Sequence, residues 1–167
     1  LAALTDSKRL TASSRERFFA FLESHAAIRV GIGVASVEEI DRLNILNATH
    51  LAMRRAVLAL GAPLPDHLLV DGLPVRGLPC GSRALVGGDG RSLLIAAASV
   101  AAKVVRDRLM RELDARHPGY GLAANKGYGT RQHLLALERL GVSPAHRRSF
   151  APVAQRLQDQ LFPREAP

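Results

Sequence analysis

The sequence is 167 residues long, 47% hydrophobic and 23% charged, which fits one folded domain able to close an ordinary core and excludes a disordered chain. Lys and Arg number 23 against 15 Asp and Glu, a formal net charge of +8, and this excess favours polyanions such as nucleic acid through counterion release, although a basic solubility surface with no ligand carries the same signature. The lone Cys80 excludes an intramolecular disulfide and a cysteine-based zinc site and points to a reducing cytoplasm, and the longest apolar run, residues 93–102, ends at Lys103 before it is long enough to cross a bilayer.

In chain order, residues 1–10 have neither an initiator Met nor a signal-peptide pattern, as expected of a chain that starts inside a larger open reading frame. Residues 11–26 carry Phe18, Phe19, Phe21 and Leu22 among polar residues and predict a helix; Ile28, Val30, Ile32 and Val34 then alternate and predict a strand. Ser36 and Glu39 form a capping box, and Leu43, Leu46, Met53, Val57 and Leu60 continue one helical face to Gly61. After a Pro-bearing link, residues 67–70 predict a short strand that delivers Asp71 and Gly72 at its C-terminal end, where ligands of open α/β sheets gather. Residues 84–86 predict another strand, and residues 91–116 a long helix that opens with small residues for close packing on a sheet. Arg106, Arg108, Arg111 and Arg116 on that helix fit either a solvated face or a phosphate-contacting one. Residues 119–129 form a Gly-rich loop, residues 131–140 a helix closed by Gly141, and residues 143–167 a Pro-containing basic tail expected to wrap the body or fray. No repeat interrupts this single α/β arrangement.

Asp71 and Asp89 stand out as carboxylates that follow short apolar strands and are flanked by Gly. Divalent Mg or Mn takes hard oxygen ligands, and two-ion phosphodiester cleavage needs several carboxylates holding ions about 4 Å apart. The residues alone leave a second reading open, because Asp and Gly also favour tight turns for backbone reasons. Asp107, between Arg106 and Arg108, reads as a structural ion-pair partner.

A series of ordered blocks resembles the ribonuclease HII family. The segment Thr5-Asp6-Ser7-Lys8-Arg9-Leu10-Thr11 is similar to its D-S-K-x-L-[ST] block, and Glu39-Ile40-Asp41-Arg42-Leu43-Asn44-Ile45 with Ala48-Thr49 and Ala52-Met53 to its E-I-D-x-L-N-I-x-x-A-T-x-x-A-M helix. Leu69-Val70-Asp71-Gly72 resembles the central aspartate strand, Gly88-Asp89 the K-G-D turn, and the run from Ala96 through Lys103 to Arg108 the A-A-S-x-x-A-K-V-x-R-D-R helix. Lys126-Gly127-Tyr128-Gly129-Thr130 with His133, and His146-Arg147 with Ser149-Phe150 and Pro152-Val153, resemble the two closing blocks, so the blocks span nearly the whole chain.

The resemblance implies an RNase H-like α/β fold, a central mixed sheet flanked by helices with the first strands missing, with residues 1–142 as the catalytic domain and 143–167 as a tail packed on it. It implies an endonuclease of ribonuclease H type 2 that cleaves the RNA strand of RNA/DNA hybrids and single ribonucleotides embedded in duplex DNA, leaving 5′-phosphate ends, with Mn or Mg as cofactor. The family's metal site joins an Asp-Glu pair on the first strand to two later aspartates, which map onto Asp71 and Asp89. Tyr128 matches the tyrosine that packs on the sugar beside the ribonucleotide; Lys126, Lys8 and Arg147 are candidate phosphate contacts, and His133 and His146 serve packing or hydrogen bonding. Tyr120 is the alternative loop tyrosine that caps the core. A monomer in the cytoplasm with no membrane association is expected. The family's D-E-x-G-R-G block lies outside this sequence, Gly87 stands where Lys usually precedes Gly-Asp, and Asn125 replaces His before Lys-Gly-Tyr. The chain is therefore expected to be a weak or inactive fragment of such an enzyme, with a non-catalytic nucleic-acid-binding module as the alternative.

Overall fold

The computed structural model describes residues 10–161. Six helices and two strands follow in order: α1 (Ala12–Ser24), α2 (Val37–Ala59), β1 (His67–Asp71), β2 (Gly81–Leu85), a 3-10 turn (Gly88–Gly90), α3 (Leu93–Arg116), α4 (Leu122–Asn125), α5 (Arg131–Leu140) and α6 (Ala151–Leu161). Contacts divide the chain into two compact units, one of Leu1–Ala35 with Thr49–Arg106 and one of Ser36–Ala48 with Asp107–Pro167.

In the first unit, Thr11 caps α1 by accepting the Ser14 amide at 3.2 Å, and the helix buries Phe19 and Leu22. Phe19 packs on Ala96, Val100, Ala101 and Val104 of α3, with Phe18, Val30 and Val105 around them. The small residues at the start of α3 thus admit an aromatic ring, and truncating Phe19 to Ala would cost about 3–5 kcal/mol.

β1 and β2 are parallel, with His67 opposite Gly81 and Asp71 opposite Leu85. The second strand begins earlier than expected and ends at Leu85, leaving Val86 in the following turn, because pairing with β1 and not local composition fixes its register. Gly72, at φ 93°, starts the return loop and donates its amide to Leu85 O at 2.9 Å, extending the ladder by one bond.

The strand expected over residues 28–34 is not formed among the described residues. Of the alternating residues only Ile28 and Val30 are half-buried, Ile32 and Val34 being exposed; the segment lies along α2 and has no strand partner among the described residues. A Cβ at Gly31 or Gly33 would collide with the carbonyl oxygen of Ala56 or Ala52. Arg55 Nη1 donates to Val34 O at 2.7 Å, taking up a carbonyl that a ladder would have used, and Arg29 Nη1 donates to Leu60 O at 3.3 Å, tying the segment to the end of α2.

α2 also departs from the single smooth helix its apolar spacing predicts. Asn44 has φ 66° and ψ 165°, outside the helical region, and its Oδ1 accepts the Asn47 amide at 3.0 Å, capping the helix that restarts there. The capping box at the start of α2 forms as expected: the Ser36 amide donates to Glu39 Oε2 at 2.9 Å and the Glu39 amide to Ser36 Oγ at 3.2 Å.

The second unit is built on α5, whose His133, Ala136 and Leu137 share one buried face. Tyr120, Leu122, Ala136, Leu137 and Val153 form its core, supported by Met110, Leu113, Phe150 and Leu157. The 119–129 region is not all loop: α4 starts where Asp114 Oδ1 accepts the Leu122 amide at 2.8 Å.

Candidate functional site

The structure places Asp71 at the C-terminal end of β1, exposed, where its Oδ1 accepts the Gly88 amide at 2.8 Å. That bond carries the start of the 3-10 turn, and with it Asp89, to the strand end that holds Asp71. Two local features permit it. Gly87 is left-handed at φ 64°, and a Cβ at Gly88 would lie 2.5 Å from Ile95 Cδ1 and 3.3 Å from Asp71 Oδ1, so only glycine lets the backbone approach this closely. Gly87 therefore replaces the expected Lys at a position whose backbone favours glycine. The donor set is hard carboxylate oxygen, suited to Mg or Mn, but no group of three or more His, Cys, Asp or Glu side chains forms a metal cluster among the described residues.

Tyr128 is 65% exposed, whereas Tyr120 is 6% exposed and donates its hydroxyl to Gly141 O at 3.0 Å. The core-capping role thus falls to Tyr120, while Tyr128 stays largely exposed. The backbone beneath its ring is tightly held. The Tyr128 amide donates to Asn125 O at 2.9 Å, and its carbonyl accepts both the Thr130 amide at 2.8 Å and His133 Nδ1 at 2.9 Å. Asn125 organises the same turn, its Oδ1 accepting the Gly127 amide at 2.8 Å while its Nδ2 donates to Tyr120 O at 2.7 Å.

Lys126 has φ 54°, donates Nζ to Ala123 O at 2.6 Å and pairs with Asp107 at 3.5 Å. Its cation is thus partly committed to the fold, and Asp107 is an ion-pair partner as its sequence context predicts. Arg147 lies over the Phe150 ring, 5.6 Å from the centroid. Lys8 lies outside the described residues.

Asp41 and the buried histidines carry more of the structure than their place in the sequence predicts. Asp41 accepts the Arg148 amide at 2.8 Å, the Ser149 amide at 2.9 Å and the Ser149 hydroxyl at 2.5 Å. Burial opposes ionisation there, but the Ser149 and Arg148 hydrogen bonds and the Arg147 charge outweigh it and hold the carboxyl below its ordinary value. His133, 1% exposed, and His146, 6% exposed, meet at 3.1 Å between their Nε2 atoms. The resemblance blocks contain all three residues, yet no local pattern announces partners so far along the chain.

These features define an α/β protein in which Asp71 ends a parallel strand and bonds the turn that carries Asp89. Its fold is similar to that of the ribonuclease H2 from Pyrococcus horikoshii OT3, with a TM-score of 0.73 at 22% identity over 95% of this chain and 82% of that one. The ribonuclease HII family model matches residues 1–153, and the chain belongs to the ribonuclease HII family. It is 58% identical over 151 residues to the ribonuclease HII of Ruegeria pomeroyi, covering 90% of this chain and 63% of that protein. It is 57% identical over 155 residues to that of Paramagnetospirillum magneticum, covering 93% of this chain and 76% of that protein.

Proposed function

We propose that the protein is a metal-dependent endonuclease that cleaves the RNA strand of RNA/DNA hybrids and single ribonucleotides in duplex DNA. The observation that carries the reading is the Gly88 amide bond to Asp71 Oδ1, which gathers Asp71 and Asp89 at one strand end. Both are hard ligands, and Asp71 is exposed to a ligand. Mn or Mg would be held by Asp71 and Asp89, together with the Asp-Glu pair that the family resemblance places before Asp6. Such an ion supplies charge neutralisation at the scissile phosphate and acidifies a bound water.

The chain's own residues do the rest. The exposed Tyr128 ring offers a flat surface for the sugar next to a ribonucleotide. The Arg147 guanidinium, 5.6 Å from the Phe150 ring centroid, offers a planar fork of N–H donors to a phosphate. Lys126 shares its charge with Asp107 as Arg147 shares its own with Asp41, so each acts as a phosphate contact at reduced strength. In the reading of residues 1–142 as a catalytic domain with 143–167 as its tail, the burial of Val153 beside Tyr120 and Leu137 supports packing of the tail on residues 107–142, and residues 162–167 lie outside the described residues. No helix among the described residues is long and apolar enough to cross a membrane, and we read the protein as a cytoplasmic monomer.

The test is a duplex with one embedded ribonucleotide, incubated with Mn and the chain, with and without any in-frame sequence upstream of the Leu1 codon. Cleavage at the ribonucleotide, abolished by Asp71→Asn, is the expected result. Salt-dependent binding with no cleavage in either form would replace the enzyme by a nucleic-acid-binding module.

A further inference from the structure

The buried imidazoles of His133 and His146 have no part in the chemistry above, yet every ring nitrogen has a partner. The Ser143 amide donates to His146 Nδ1 at 3.2 Å, so that nitrogen accepts and the proton of the neutral ring sits on Nε2. His146 Nε2 then donates to His133 Nε2 at 3.1 Å, which places the His133 proton on Nδ1. That proton goes to the Tyr128 carbonyl at 2.9 Å, a group that only accepts. The Ser143 hydroxyl, 2.8 Å from His146 Nδ1, donates in the same direction. One tautomer of each ring satisfies the whole line, and the opposite tautomer of either ring would set donor against donor.

We propose that His133 and His146 are positioning residues, a directional relay from Ser143 to the Tyr128 carbonyl that fixes the backbone from which the Tyr128 ring meets the sugar of a bound nucleic acid. This inference rests on the reading of Tyr128 as the substrate-contacting ring. The exposed ring on a fully bonded stem is the geometry expected where ordering has been completed before binding, because a ring already held in place loses less freedom in the complex. Histidine suits the task because each neutral ring accepts on one edge and donates on the other, passing a direction through a buried space without charge.

Neutrality is part of the device. Burial first, then the charges of His133 and His117, hold the His146 pKa below its ordinary value. The Tyr120 ring lies 4.7 Å away, and Glu38, Asp41, Arg42 and Arg148 line the cleft beside His146. A proton added to His133 would put N–H against N–H across the 3.1 Å contact, and one added to His146 would set Nδ1–H against the Ser143 amide.

Binding is measured in EDTA, so that no turnover occurs, as the ratio of affinities for a duplex with one ribonucleotide and the same duplex in all-DNA form. Tyr128→Ala is expected to lower that ratio roughly 5- to 100-fold. His133→Leu should lower it by a substantial part of that factor, and His133→Asn, whose amide keeps a donor where Nδ1 stood, should restore most of the loss. Adding His133→Leu to Tyr128→Ala should change nothing further. A wild-type ratio in a His133→Leu protein that still unfolds cooperatively, or full additivity in the double variant, would overturn the proposal. If His133→Leu does not fold, the wild-type nitrogen spectrum decides: the proton must sit on Nδ1 of His133 and Nε2 of His146, and any other tautomer or a charged ring at neutral pH overturns the relay. If Tyr128→Ala leaves the ratio unchanged, the reading of Tyr128 fails by itself. The holding of its backbone is then decided by the Tyr128 carbonyl carbon shift, which must move in His133→Leu and return in His133→Asn.

Discussion

Asp71 and Tyr128 would each meet the substrate or its metal, and the fold holds them in opposite ways. Asp71 ends a strand in a two-stranded ladder, and its side chain accepts the Gly88 amide. Tyr128 stands on a backbone bonded at both its amide and its carbonyl, with two buried rings behind it. The difference follows from what each has to do. A carboxylate ligand needs lone pairs left over for the ion, so one bond that sets its direction is enough and saturation would compete with the metal. A stacking ring contributes only contact area, so its value depends on the stem being ordered beforehand.

The largest expected effect tests the aspartate side. Asp71→Asn keeps an oxygen to accept the Gly88 amide and removes the charge, so its unfolding midpoint should stay near wild type while Mn affinity and cleavage collapse. A metal contribution of several kcal/mol corresponds to about a thousandfold loss of rate. Calorimetric Mn titration and single-turnover cleavage check it; an Asn variant that binds Mn normally would remove Asp71 from the metal site. The tyrosine side is tested by a matched pair. Tyr120→Phe leaves the Gly141 carbonyl without its 3.0 Å donor and should cost about 1–3 kcal/mol in urea unfolding, whereas Tyr128→Phe should stay within about 0.5 kcal/mol. Equal costs would mean that Tyr128 is structural too.

What was legible in the sequence was local. The Ser36 and Glu39 capping box, the bounds of α5 and the strand ending at Asp71 each rest on residues a few positions apart, and each forms as expected. What was not legible depends on distant partners. Asn44 interrupts an apolar spacing that runs straight through it, leaving Ile45 and Leu46 exposed. The alternation of residues 28–34 fits a strand, but pairing is a property of two segments, and here α2 lies against the segment instead. Asp41 reaches Ser149, and His133 reaches His146, through contacts that no spacing rule encodes. The candidate aspartates were visible through family resemblance; the rings that hold Tyr128 were visible only as two histidines.

Acid should test the tyrosine side of the comparison. His146 is held below its ordinary pKa by burial first and by His133 second, so the folded state binds its proton less readily than the unfolded chain. A depressed folded-state pKa gives stability that is fully present above the unfolded value, about 6.5, and is lost as pH falls toward the folded one. Urea midpoints should therefore decline below about pH 6.5, and His146→Gln should flatten that decline. A second loss at lower pH belongs to Asp41, whose carboxyl is depressed by the Ser149 and Arg148 bonds in spite of its burial. A wild-type profile identical to that of His146→Gln would mean that the imidazole pair carries no linkage.

The smallest effect concerns Gly87, where the family usually has Lys. Restoring that residue sets two terms against each other. The position is left-handed, at φ 64° and ψ 36°, and a side chain there costs about 1 kcal/mol of stability. Nothing lies within 4 Å of a Cβ built at Gly87, so the cost is backbone strain alone and no steric repacking is needed. The new ammonium would stand one residue from the amide that bonds Asp71, adding a cation beside the proposed phosphate site. Gly87→Lys should therefore lower the urea midpoint slightly while steepening the salt dependence of duplex affinity by about one counterion, and Gly87→Ala should lower the midpoint without changing that slope. If both variants leave the salt slope alone, the turn that carries Asp89 does not face nucleic acid, and the aspartate end of the comparison would need another ligand.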